Sequence, residues 1–151
     1  MSIAPALWER SRLFKRVEYE KMIEVGVFGS AIGERADVRI QSAFAASDDS
    51  EPEPDVAIVP TGAYREAHPG EAFLVIEVAD SSLAIDRGTK AQLYAESGVP
   101  EYWVVNVRDA IIEVHTEIVR DAYTHVTPYR AGDRIALTKF PDIEIVVADV
   151  L

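Results

Sequence analysis

Three ionisable residues, Asp55, Glu77 and Lys90, stand in the strings PDVAIV, FLVIEV and DRGTKAQLYAESG. The first two strings are short, apolar and rich in β-branched residues, the pattern of adjacent strands covered on both faces; the third spaces its residues as a helix. Asp55 begins one expected strand, Glu77 interrupts the next between Ile76 and Val78, and Lys90 lies on the helix behind them. An ionised carboxylate on a buried strand must be paired, neutralised or bound to a metal. Two carboxylates and an ammonium converging at one sheet edge are the inventory of a divalent-metal phosphodiesterase site. They are equally the inventory of a buried ion pair, and the residues alone leave both readings open.

The elements that must position these residues follow from local patterns. Phe14 to Val25 places Phe14, Val17, Met22, Ile23 and Val25 among charged residues and stops at Gly26, as an amphipathic helix does. Val27 to Arg35, with Gly29 and Gly33, is expected to be a turn. Val38, Ile40 and Phe44 begin an alternating strand that dissolves into the acidic, proline-bearing loop SDDSEPEP. Strands are expected over Asp55 to Val59 and Phe73 to Val78. Ser81 or Ser82 would cap a helix over 84–97, which ends at Gly98 with Pro100 just beyond. A further apolar strand follows from Glu101 to Val107. Antiparallel strands are expected over Ile111 to Val119 and Tyr123 to Tyr129, and short ones near Ile135 and Ile143 to Val147. The expected class is α/β: a mixed central sheet, helix 84–97 and a C-terminal antiparallel extension, in one domain over 1–151.

Composition narrows the function. Hydrophobic residues at 48% and charged residues at 27% suit a soluble globular protein, and no apolar run has the length of a membrane span. Zero cysteines exclude disulfides and thiolate metal sites; with no secretory pattern in MSIAPALWERSRLFKR, a cytoplasmic protein is expected. The net charge of -11 argues against broad electrostatic binding of nucleic acid. That acidity concentrates in residues 41–80, which hold nine acidic residues and one basic. A metal would offset it locally, although Asp48, Asp49, Glu51 and Glu53 read as a solvated loop. His68, His115 and His125 are expected to be solvent-facing or structural, and Tyr94, Tyr102 and Trp103 to be core.

PEPDVAIV followed by VIEVADSSLAIDRGTKAQLYAESGVPEYWVV resembles the Uma-two family of restriction endonuclease-like proteins, within the PD-(D/E)XK nuclease superfamily; the resemblance runs from about Phe14 to Leu151. It implies a restriction endonuclease-like core and a metal-dependent endonuclease that hydrolyses DNA. Asp55 matches the family's PD aspartate and Glu77 its strand glutamate. Ala79 stands where the standard signature has lysine, and Lys90 on the helix matches the displaced lysine. Asp86, one helical turn earlier, matches a further acidic position. Asp55 and Glu77 would then bind Mg²⁺ or Mn²⁺, with the carbonyl of Val78 as a third ligand. Lys90, kept protonated by its carboxylate neighbours, would orient the nucleophilic water or stabilise transition-state charge.

One departure from the family pattern carries its own expectations. GVFGSAIGERADVRIQ runs straight across the region where the family has a strand pair, a turn and a long helix packed on the sheet. One core helix is therefore expected to be missing, and Val38, Ile40, Ile58 and Ile76 to need cover from the N-terminal segment or from a second copy. A homodimer is the expectation. The alternative function is a catalytically impaired remnant that persists as an interaction or oligomerisation module.

Overall fold

The computed structural model describes residues 28–46, 50–62, 64 and 68–151. The expected helix over Phe14 to Val25 and the N-terminal segment lie outside the described residues. Six strands form one sheet in sequential order: β1 (Asp37–Ile40), β2 (Val56–Val59), β3 (Leu74–Ala79), β4 (Glu101–Asn106), β5 (Ile111–Val119) and β6 (Ala122–Tyr129). Neighbours are antiparallel except β3 and β4. A parallel neighbour needs a crossover, and the helical segment between β3 and β4 is that crossover.

This segment begins as α2 (Leu83–Ile85), widens into a π-helical turn (Asp86–Lys90) and continues as α3 (Ala91–Glu96). Backbone dihedrals stay helical through both junctions. It ends as the sequence implies. Gly98 takes φ +81°, its N–H donates to Ala95 O at 3.0 Å, and the N–H of Val99 reaches back to Tyr94 O at 3.0 Å. The start differs from expectation, because the Ser82 hydroxyl makes no cap to the backbone and donates instead to Asp86 Oδ2 at 2.7 Å.

Strand alternation divides the core into two layers. Val75, Tyr102 and Val104 face the helix, where Ala91, Tyr94 and Val99 meet them. Ile58, Ile76, Trp103, Val105, Ile112 and Val114 face the other way. That second face is covered by the chain itself. The C-terminal hairpin of β7 (Arg134–Ala136) and β8 (Glu144–Val146) brings Ile135 and Ile145 against it, followed by Val147 and Val150. Ile58 and Ile76 are buried as a result, and Val38 and Ile40 pack partly buried against the same cluster. The sheet face therefore gives no reason to invoke a second copy.

Two expectations change at the N-terminal end. The presumed turn over Val27 to Arg35 contains α1 (Gly29–Ile32), a single helical turn too short to show any periodicity. It buries Phe28 and Ile32, with Phe28 set against Trp103 at 5.6 Å between ring centroids. Phe44 is past the end of β1 rather than within the strand, yet it is buried beside Tyr94 on the helix side.

Candidate active site

The β2–β3 ladder stops at the pair Val56 and Ile76, one residue short of Asp55 and Glu77. Past that point the backbone donors of the two strands are taken by each other's carboxylates. The N–H of Asp55 donates to Glu77 Oε1 at 2.8 Å, and the N–H of Val78 donates to Asp55 Oδ2 at 2.7 Å. The two acids thus sit where the strands part. Asp55 is 0% exposed and Glu77 1%, so each charge depends on the few donors around it.

Lys90 reaches this pair from the helix. Its ammonium donates to Glu77 Oε2 and lies 3.2 Å from Asp86 Oδ1, one turn earlier. Asp86 is itself held by Ser82 through Oδ2, and its backbone carbonyl accepts from the Tyr102 hydroxyl at 2.9 Å. Asp55, Glu77, Asp86 and Lys90 therefore form one connected cluster. Lys90 is its accessible member, with 32% of its side chain exposed.

Electrostatics set the protonation states. Burial first, and then the Asp55 carboxylate, push Glu77 up to about 7, against the opposing pull of Lys90. Burial draws Lys90 down, but Glu77 and Asp86 outweigh it and hold the ammonium above its ordinary value. Lys90 is thus a fixed cation at neutral pH, suited to stabilising negative charge and unsuited to accepting a proton.

The donor set fits a hard divalent cation. Asp55 and Glu77 offer carboxylate oxygens, each with lone pairs beyond the bonds just described, and Val78 adjoins them on β3. Among the described residues, no group of three His, Cys, Asp or Glu side chains is placed to hold a metal. A set of two carboxylates matches Mg²⁺, which keeps several waters and takes few protein ligands. The charge imbalance on Glu77 is the kind that a cation relieves.

The same register accounts for a second ion pair. Glu77, Val104 and Glu113 are aligned across β3, β4 and β5 and so project from one face. The helix crossing that face binds both acids, Glu77 through Lys90 and Glu113 through Arg87, whose Nε donates to both carboxylate oxygens at 2.9 Å. Arg87 was not singled out from the sequence, since its partner is visible only once β5 is registered on β4. Glu101 was also missed. It is buried, accepts from Trp103 Nε1 at 2.8 Å and Thr138 N at 2.9 Å, and anchors the C-terminal segment rather than any chemistry. His68 and His125 are exposed; His115 is buried, as are Tyr94, Tyr102 and Trp103.

A mixed sheet crossed by one helix, with acids at the parting of two strands and a lysine above them, defines an α/β fold of the restriction endonuclease-like class. Comparison with known proteins agrees. A crystal structure described as "a putative nuclease belonging to DUF820 from Anabaena variabilis" superimposes with a TM-score of 0.69 at 12% identity, covering 89% of this chain and 79% of that one. No functionally curated protein matches. Residues 28–148 match the Uma2 family, described as "Putative restriction endonuclease", and the chain belongs to that family.

Proposed function

We propose that the protein is a metal-dependent endonuclease hydrolysing DNA phosphodiester bonds, with Asp55, Glu77 and Lys90 as its catalytic residues. The observation that carries this reading is the placement of Lys90 against Glu77 at the parting of β2 and β3, on a fold shared with the Anabaena protein. Asp55, Glu77 and the Val78 carbonyl would hold Mg²⁺ or Mn²⁺, which supplies a Lewis acid for the phosphoryl oxygen and a nucleophilic water at neutral pH. Lys90 presents a permanent positive charge where the phosphate develops negative charge. Asp86 positions Lys90 through the 3.2 Å contact, and Ser82 positions Asp86. Burial of the acids excludes bulk water and strengthens each of these interactions.

Isothermal titration with Mn²⁺ is expected to give saturable heat for the wild type and none for Glu77→Ala; equal heats would remove the site assignment. On plasmid DNA with Mg²⁺ or Mn²⁺, Lys90→Ala should lose at least about a hundredfold in cleavage rate, the scale of one transition-state donor. Full cleavage by that variant would reject the role of Lys90. An intact fold with no cleavage by the wild type would leave the interaction-module reading in its place.

A further inference from the structure

The helical segment has a second working side. A cavity of about 480 Å³ lies between the face of the helix that carries Arg87, Gly88 and Ala91 and the β5–β6 hairpin, with His115, Arg120 and Tyr123 among its lining. Its volume falls within the usual range of small-molecule sites, roughly 300–1,000 Å³. The π-helical turn Asp86–Lys90 separates it from the carboxylate cluster, with Asp86 and Lys90 turned to the acids and Arg87 and Gly88 to the cavity.

Three features of its walls bear on what it could hold. Gly88 is in the interior of the helical segment, where glycine is the least favourable residue other than proline. Among the described residues a Cβ built there meets nothing within 4 Å, and the backbone has no left-handed φ that would require glycine. Packing among the described residues does not demand glycine here, whereas a bare helix backbone admits a flat group at close range. The second observation is His115, 5% exposed, whose Nε2 has no hydrogen-bond partner among the described residues. Buried polar atoms are nearly always satisfied, and the nearest carboxylate oxygen, Glu113 Oε1, is 3.9 Å away. The third is Arg120. It holds φ 52° beside Asp121 at φ 61°, as both central residues of a two-residue hairpin turn do, and so sits at the tip between β5 and β6. Among the described residues no carboxylate pairs with it, so the turn holds a free cation at the rim.

The walls indicate what would fit. Tyr123 spends its hydroxyl on Val99 O at 2.6 Å and so offers only its ring, which lies edge-on to the His115 imidazole at 5.9 Å. Aromatic surface, a bare stretch of helix, an unsatisfied imidazole and a rim arginine match a planar heterocycle with hydrogen-bonding edges and an anionic substituent. We infer that this cavity binds a nucleotide, its base between Gly88 and the Tyr123 and His115 rings and its phosphate at Arg120. The nucleotide has two possible sources, a free nucleoside monophosphate or a unit of a DNA strand; the second rests on the nuclease reading above.

The test uses binding without metal, so it does not depend on cleavage. Titration calorimetry with dAMP and dTMP, and fluorescence anisotropy with a labelled single-stranded oligonucleotide, would be run on the wild type, Gly88→Leu and Arg120→Gly. The Gly88→Leu side chain enters open space on a helix, and Arg120→Gly suits the positive φ, so both variants should melt no lower than the wild type. Each should weaken binding at least about tenfold. Weakened mononucleotide binding identifies a free nucleotide as occupant, whereas weakened oligonucleotide binding alone identifies a strand. Folded variants that bind both probes as the wild type does, or a wild type that binds neither, would overturn the inference. Failure of cleavage with this binding intact would reject only the nuclease reading.

Discussion

Replacing Glu77 by glutamine should remove a specific pH dependence from the stability of the protein. In the wild type, burial and Asp55 push Glu77 up from 4.5 to about 7, so across that interval the native state holds a proton that the unfolded chain has released. Stability must then fall as pH rises through this window and level off above it. At about 1.4 kcal/mol per pH unit, the loss from this one group is about 3 kcal/mol, a large share of a total that is typically about 5–15 kcal/mol. Glutamine keeps an acceptor for the Asp55 N–H but cannot titrate. It also turns an amide towards Lys90, which sets a constant offset, so the slope rather than the absolute stability is diagnostic. Lys90 stays charged throughout the window because its pKa lies above the ordinary lysine value and Asp86 remains 3.2 Å away. Other perturbed groups, among them Glu101 and His115, are common to both proteins and cancel in the difference. Urea unfolding of the two proteins at intervals from pH 5 to 8 would measure it. Parallel stability profiles would refute the reasoning and show that Glu77 is already ionised at pH 5, its charge fully compensated by Lys90.

Tyr94→Phe should raise stability by about 1 kcal/mol, because the Tyr94 hydroxyl is buried without a partner among the described residues while its ring contacts to Phe44 and Tyr102 survive the change; a comparable loss in urea unfolding would show that the hydroxyl is bonded in solution. Light scattering at micromolar concentration should report a folded monomer, since the C-terminal hairpin covers the sheet and, among the described residues, the large exposed apolar side chains are the scattered Ile85, Val119 and Val126; a stable dimer would require an interface other than the sheet face.

Much of the site was legible because its residues break their own surroundings. An acid inside Phe-Leu-Val-Ile-Glu-Val violates the apolar pattern of the strand around it, and such violations concentrate at functional positions. Helix and strand boundaries near the site were also readable from Gly98, Pro100 and the apolar runs. What the sequence withheld depends on register. The reciprocal bonds between Asp55 and the Val78 N–H, and between Glu77 and the Asp55 N–H, exist only because the ladder ends at Val56 and Ile76, which no local pattern states. The pairing of Arg87 with Glu113 needs three strands aligned before it can be seen. The π-helical turn is invisible for another reason: over five residues, a wide turn and an ordinary one share a periodicity. The expectation that this face takes its cover from the N-terminal segment or a second copy overlooked the C-terminal hairpin, because its short strands carry too weak a pattern to reveal that they fold back over the core.

Register also accounts for a cation that reaches Glu77 from the helix rather than from position 79. Side chains alternate along β3, so Ala79 projects to the same side as Glu77 and Val75, into the layer packed beneath the helix. It is completely buried there. A lysine at 79 would have to bring a long, charged side chain into space now filled by that packing, at a desolvation cost that only perfect pairing offsets. The helix crosses directly above this row, and from it Lys90 reaches Glu77 with part of its side chain still in water. Asp86, one turn back, then fixes the ammonium from the second side. A cation on the helix thus contacts Glu77 at a lower cost of holding its charge than one on the strand would, and leaves a small residue where the helix lies close to the sheet.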